Sequence, residues 1–257
     1  MNFLICLKGE FLKAKGTFSF WLVLLGGLLV PLISFLIQLS KPEFFVNRAE
    51  DPWRAFIGDV FGTAIPLLFP IFLILLIALS FNLEHKSNAW KKLFVTPYSR
   101  TVIYLSKIVF IQIQVVFSLV VFAVAIILFG TLLGTIHPEL NFIGTSVNCT
   151  FLIKSLIKAY IAYLALIGFQ IILSFYFKNF IVPIGVGVFG FIFGIMLIKW
   201  EYAAYNFLSN NFHVNQHVGK GVVLDFTGNI ATYQLFSIIY FVTFIVIGWV
   251  LFNRKAL

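Results

Sequence analysis

His213 and His217 stand four residues apart with Asp225 downstream, a spacing that puts two imidazoles on one face of a helix and suits a divalent metal. The pattern stops there. No third strong ligand follows at a motif spacing, and no Glu follows the first His as zinc-protease chemistry requires. The pair therefore reads as polar residues of a loop, and no metal site is assigned. A phosphate-cradling loop needs G-x-x-x-x-G-K-[ST], whose backbone N–H groups and Lys hold the nucleotide. Lys220 between Gly219 and Gly221 lacks the following Ser or Thr, and Gly185, Gly187, Gly190 and Gly194 fall inside an apolar run. Gly190 and Gly194 instead form G-x-x-x-G, where missing side chains let helices pack closely. Cys6 and Cys149, one near the start and one between apolar segments, support neither a disulfide framework nor a thiolate metal site. No paired carboxylates and no Ser-His arrangement stand at depth in the apolar segments, so no catalytic residue is assigned.

The elements that must position any function are apolar blocks. Of 257 residues, 61% are hydrophobic and 11% charged, with a mean hydropathy of +1.04, against roughly 25% charged residues in soluble domains. A soluble fold is excluded. Membrane helices need about 20 apolar residues each, which predicts an all-α integral membrane protein with six spans at 17–39, 60–81, 108–133, 159–177, 180–198 and 231–252. Residues 1–257 read as a single transmembrane domain, because no polar stretch is long enough to hold a second core. Met1 to Gly16 alternates apolar residues with Lys8, Glu10, Lys13 and Lys15 and lacks a signal-peptide layout. Its apolar positions favour one helical face, which predicts an interfacial helix over 1–16. The spans as drawn contain no Asp, Glu, Lys, Arg or His, which argues against a proton relay or an ion-coupled carrier.

The net charge of +9 is an orientation signal rather than a nucleic-acid footprint, because the basic residues sit beside span ends. Lys8, Lys13 and Lys15, then Lys86, Lys91, Lys92, Arg100 and Lys107, then Lys178, then Arg254 and Lys255 all fall on one side if six spans cross. That side is expected to be cytoplasmic, with both termini inside a bacterial inner membrane. Lys154 and Lys158 lie on the other side, where long stems can reach headgroups. The link 199–229 mixes Trp200, Tyr202, Tyr205, Phe207 and Phe212 with polar residues, a blend suited to the outer headgroup layer and to a short re-entrant or surface helix.

The most informative stretch is the basic link FNLEHKSNAWKKLFVTPYSRTVIYLSK, residues 81–107. Its middle can form a short amphipathic helix that gathers Trp90, Leu93 and Phe94, and Pro97 then stops or restarts the helix. Read as bare residues, it is either an ordinary topology-fixing loop or an aromatic knob for a partner. The order Glu84, Trp90, Leu93, Pro97, Arg100 and Lys107 resembles the cytoplasmic signature of type-2 ABC transporter permeases, in which such a segment acts as a coupling helix. The wording around Trp90 and from Tyr104 to Lys107 is similar to the self-protection exporters of lantibiotics or bacteriocins. Asn88 and Ala89 stand where many members have Gly-Thr.

The resemblance implies the membrane subunit of an ATP-driven exporter and not an enzyme. It implies a second permease chain, identical or related, and separate ABC ATPase subunits that bind ATP and Mg. This chain is expected to hold no cofactor itself. Glu84, Trp90, Lys91, Lys92, Leu93, Pro97 and Arg100 are then the candidates for the ATPase-coupling interface. With 33 Phe residues, the expected pathway suits an amphipathic peptide, a lipid-like molecule or a drug. The rival class is a membrane scaffold or sensor whose basic knob recruits a cytoplasmic partner without transport.

Overall fold

The fold is known from a computed structural model, which describes residues 2–41, 51–86, 98–214 and 232–254. Among these residues it is helical throughout: α1 (Asn2–Ala14), α2 (Phe18–Ser40), α3 (Pro52–Lys86), α4 (Arg100–Ile136), α5 (Cys149–Tyr176), α6 (Ile181–Met196), α7 (Asn210–His213) and α8 (Thr232–Arg254). The helices α2, α3, α4, α5 and α8 are long and apolar enough to cross a bilayer. Six crossings were expected. The remaining candidate, α6, has 16 residues, about 24 Å at 1.5 Å per residue against a hydrocarbon core of about 30 Å. The spans predicted to begin at residues 60, 108 and 159 start earlier as helices, because Arg54, Asp59, Lys107, Lys154 and Lys158 interrupt the apolar pattern without interrupting the backbone.

The central helix is α3, 72% of whose most apolar window is buried, against 17% for α8. Its start is encoded locally. Pro52 needs no N–H at the first helical position, and the Asp51 carboxylate accepts from the N–H groups of Trp53 at 3.0 Å and Arg54 at 3.3 Å. Phe61, Phe69 and Phe122 then pack edge-on, and Phe69 stacks on Tyr163 at 5.6 Å, joining α3, α4 and α5 in one aromatic core.

Two prolines shape the middle of α3. Residues Ala64–Leu68 form a π-helical turn in which the Phe69 N–H reaches back to the Ala64 carbonyl. That leaves the Ile65 carbonyl without its usual donor, and Pro70 has no N–H to offer the Pro66 carbonyl. Both oxygens find side chains elsewhere. Tyr163 of α5 donates its hydroxyl to Ile65 at 2.8 Å, and Asn211 of α7 donates Nδ2 to Pro66 at 3.0 Å. In an apolar interior this compensation is required, because an unsatisfied carbonyl has no water to turn to.

The residues that carry Asn211 follow α6. Helices α5 and α6 form a tight hairpin through 177–180, across which Gln170 Nε2 donates to the Pro183 carbonyl at 3.1 Å. Beyond α6 the chain folds back along it. Leu208 lies against Gly190 and Gly194, and Phe212 stacks on Phe191 at 5.7 Å. A Cβ on Gly194 would collide with the backbone of Leu208, so close approach within this chain requires glycine there. The part of the 199–229 link from 206 to 214 therefore turns into the bundle, Trp200, Tyr202 and Tyr205 before it stay exposed, and residues 215–229 lie outside the described residues.

Replacing Tyr163 by Phe, or Asn211 by Leu, strands one buried carbonyl and is expected to cost about 1–3 kcal/mol each. Thermal unfolding of the purified chain measures this. Tyr202→Phe, at an exposed position, is the control and should leave the midpoint unchanged.

Candidate coupling site

Four separate segments that carry basic residues meet at one end of the bundle. The N-terminal helix reaches α3 through Lys13 and Glu84, Lys86 lies 5.8 Å over the Phe180 ring, and Arg100 donates to the Asn253 carbonyl at 2.8 Å. The charge pattern that grouped these segments in sequence thus corresponds to one face of the fold.

At its centre lie four charged side chains of alternating sign. Lys107 of α4 sits 2.9 Å from Glu10 of α1 and 3.0 Å from Glu84 of α3. Lys13 of α1 sits 3.1 Å from the same Glu84 oxygen and also pairs with Glu10, three residues before it. Glu84, Glu10 and Lys107 are 2%, 5% and 6% exposed, whereas the Lys13 side chain is 35% exposed and closes the ring toward the surface. Lys107 further donates to the Ser80 carbonyl at 3.1 Å and lies 5.4 Å over the Phe81 ring. Two voids of about 10 Å³ flank the ring, each the size of one water molecule.

The ring is electrically neutral, which is what allows it to be buried. An isolated ion taken from water costs several kcal/mol, and only close opposite charges with satisfied hydrogen bonds offset this. The balance shows in the two groups on α1. Burial pushes the Glu10 carboxyl up, but Lys107 and Lys13 outweigh it and hold it below its ordinary value of 4.5. Burial pushes Lys13 down, but Glu84 and Glu10 outweigh it and hold it above its ordinary 10.5.

The ring connects both ends of the basic link, since Glu84 lies near its start and Lys107 at its end. The far end is also held by α8. Besides the Arg100 bond, Trp249 Nε1 donates to Thr101 Oγ1 at 3.0 Å, and the Tyr104 hydroxyl donates to the Ile245 carbonyl at 3.0 Å. Ser99 caps α4 by accepting from the Val102 N–H at 3.3 Å.

Of the residues singled out in sequence, Glu84 is in the ring and Arg100 in the clamp to α8. Trp90, Lys91, Lys92, Leu93 and Pro97 lie outside the described residues. Gly190 and Gly194 pack on Leu208, remote from this end. Sequence reasoning did not single out Glu10 and Lys13. Their signal was present: Glu10 is the lone acid in an otherwise basic segment and stands at i,i+3 to Lys13.

A family model described as ABC-2 family transporter protein matches residues 6–194, a range that takes in the ring, the link and the α5–α6 hairpin. The chain belongs to the ABC-2 transporter family. No curated protein and no solved structure matches it. As an ABC-2 member it is a permease subunit of an ABC transporter, a multi-pass membrane protein that associates with ABC ATPases and is a transport subunit rather than a catalyst.

For this permease the ring makes two measurable demands. Lys107→Met leaves the Glu10 and Glu84 carboxylates with only Lys13 to balance them in a buried site and is expected to destabilise the fold by about 3–5 kcal/mol. Adding Glu10→Gln should recover part of that loss, giving a coupling of about 0.5–3 kcal/mol in a double-mutant cycle of thermal stability. The second demand concerns pH. A depressed carboxyl stabilises the folded state above its unfolded value and loses that contribution as pH falls through its folded value; a raised lysine loses its contribution as pH rises through its folded value. Proteolytic protection of α1 should therefore be flat from about pH 5 to 10 and fall below about pH 4.

Proposed function

We propose that this chain is the membrane half of an ATP-driven exporter, in which two permease chains form the pathway and two ATPase subunits dock on the basic link. In this reading the link faces the cytoplasm of a bacterial cell, both termini lie inside, and the partner ATPases hold ATP and Mg. Trp90, Lys91, Lys92, Leu93 and Pro97 form the contact surface. Glu84 and Arg100 act as its two anchors, passing force into the bundle rather than touching the partner.

The observation that carries this reading is the charge ring. A segment whose two flanks are tied to each other and to α1, and whose second flank is also tied to α8, moves four helices when it is pushed. An ordinary loop that only fixes topology needs no such anchorage. The fold also suits a cargo with apolar surface, because the spans are dominated by apolar side chains and the amide N–H groups of Gln170 and Asn211 donate to backbone carbonyls. An amphipathic peptide, a lipid-like molecule or a drug fits that chemistry, and the wording of the link favours a bacteriocin or lantibiotic self-protection exporter.

Affinity purification of the tagged chain from its native host should recover an ABC ATPase. In the reconstituted complex, Trp90→Ala should weaken ATPase binding by about 2 kcal/mol, as loss of an aromatic anchor does. Arg100→Ala should leave binding nearly intact while lowering cargo-stimulated ATP hydrolysis by about tenfold, the loss of one charged hydrogen bond. A complex without an ATPase, or stimulated hydrolysis that both variants leave untouched, defeats the proposal.

A further inference from the structure

With Glu10 and Glu84 balancing Lys13 and Lys107, α1 and the turn after it retain two exposed cations, Lys8 and Lys15, which have no ion-pair partner among the described residues. Lys15 stands at a bend. Gly16, with φ at +78°, turns the chain between α1 and α2, a backbone conformation that favours glycine. Under the bend opens a groove of about 580 Å³ whose walls include Phe11, Leu12, Lys15, Phe20, Phe110 and Phe117. It continues along α4, sharing Ile113 and Phe117, into a second depression of about 400 Å³ that ends at Val120. The first volume alone falls within the roughly 300–1,000 Å³ of sites that hold one small ligand.

The depth of the groove is fixed by its neighbours. Phe11 packs edge-on against Phe110 at 5.0 Å, one turn beyond Lys107, so the mouth lies level with the buried charge ring where the apolar span ends. From Val109 to Val120 the groove follows α4 for about 16 Å toward the bilayer interior. A cation at the mouth and an apolar, lengthwise floor match an amphiphile with an anionic head.

We infer that the groove binds one anionic phospholipid, its phosphate on Lys15 and one acyl chain laid along α4 between Phe20 and Phe117. A second copy of this chain is a poorer occupant on charge grounds. The chain has nine acidic residues; Glu10 and Glu84 are in the ring, and the other seven belong by sequence to links or helix segments toward the opposite end. A copy inserted with the same orientation offers Lys15 no exposed acidic side chain among the described residues at this end, whereas a lipid brings a phosphate. Juxtamembrane lysines attract anionic lipid for this reason. The inference is independent of cargo and of the ATPase.

Native mass spectrometry of the full chain, released from micelles doped with phosphatidylglycerol or with phosphatidylcholine of the same acyl chains, tests it. The wild type should retain one phosphatidylglycerol about tenfold more tightly than phosphatidylcholine. Lys15→Glu should erase that preference, and Lys15→Arg should keep it. Ile113→Trp, which fills the groove at a 38% exposed position, should lower retention of both lipids, while Val242→Trp on the exposed face of α8 should not. Unchanged preference in Lys15→Glu, or unchanged retention in Ile113→Trp, overturns the inference. So does efficient disulfide cross-linking between two copies through Ile113→Cys in phosphatidylglycerol vesicles, which would assign the groove to a second copy.

Discussion

Burying Lys107 among α1, α3 and α4 is the constraint on which the rest of this end of the molecule depends. A lysine ammonium at 6% exposure is tolerable only beside carboxylates, and two are supplied, from helices far apart in sequence. Two carboxylates against one ammonium would leave a net charge, and Lys13 removes it. The cluster therefore works only as a set of four, and between them its members tie together the ends of three helices, α1, α3 and α4. Apolar packing alone would let α1 slide on α4, since Phe11 on Phe110 is one edge-on contact on a broad apolar face. The ion pairs give α1 a register.

The same reasoning separates what was legible in the sequence from what was not. Apolar length predicts helices because a bilayer leaves the backbone no alternative partner, so α2, α4, α5 and α8 were readable to within their charged ends. Those ends were missed because a charged residue lowers hydropathy without breaking a helix; Asp59 and Lys107 lie inside α3 and α4. Glu84 and Lys107 stood out through the resemblance of the basic link to that of type-2 ABC permeases. Glu10 did not, because a polar residue on a surface-lying helix has water as an available partner, and only the fold shows that it faces inward.

The π-helical turn of α3 was illegible for a different reason. Pro66 and Pro70 announce a disturbed helix, but not which side chains satisfy the freed carbonyls. Those come from Tyr163, 98 positions from Ile65, and Asn211, 145 positions from Pro66. Nothing in local sequence links them. Likewise Gly190 and Gly194 carry a spacing that suits packing of any two helices, and the surface they meet is the returning segment around Leu208 rather than a helix of regular length. Short-range patterns specify that a surface is close-packed, and long-range folding decides its partner.

Together these features link the charge ring to the middle of the bundle through one helix. The half of α3 from Phe69 to Lys86 ends in the charge ring, and the half from Pro52 to Thr63 ends in the Asp51 cap. Between them the π turn interrupts the regular ladder of hydrogen bonds, so bending is concentrated there rather than spread along the helix. Any displacement of Glu84 along the bundle must either break the ring, at a cost of several kcal/mol, or be delivered to that turn. The two donors at the turn belong to α5 and α7, and α7 rests on α6 through Phe212 and Phe191. In the proposed coupling role, a push on the basic link is carried by the ring into α3 and leaves the π turn through the hydrogen bonds from Tyr163 and Asn211, the two contacts that tie that turn to α5 and α7.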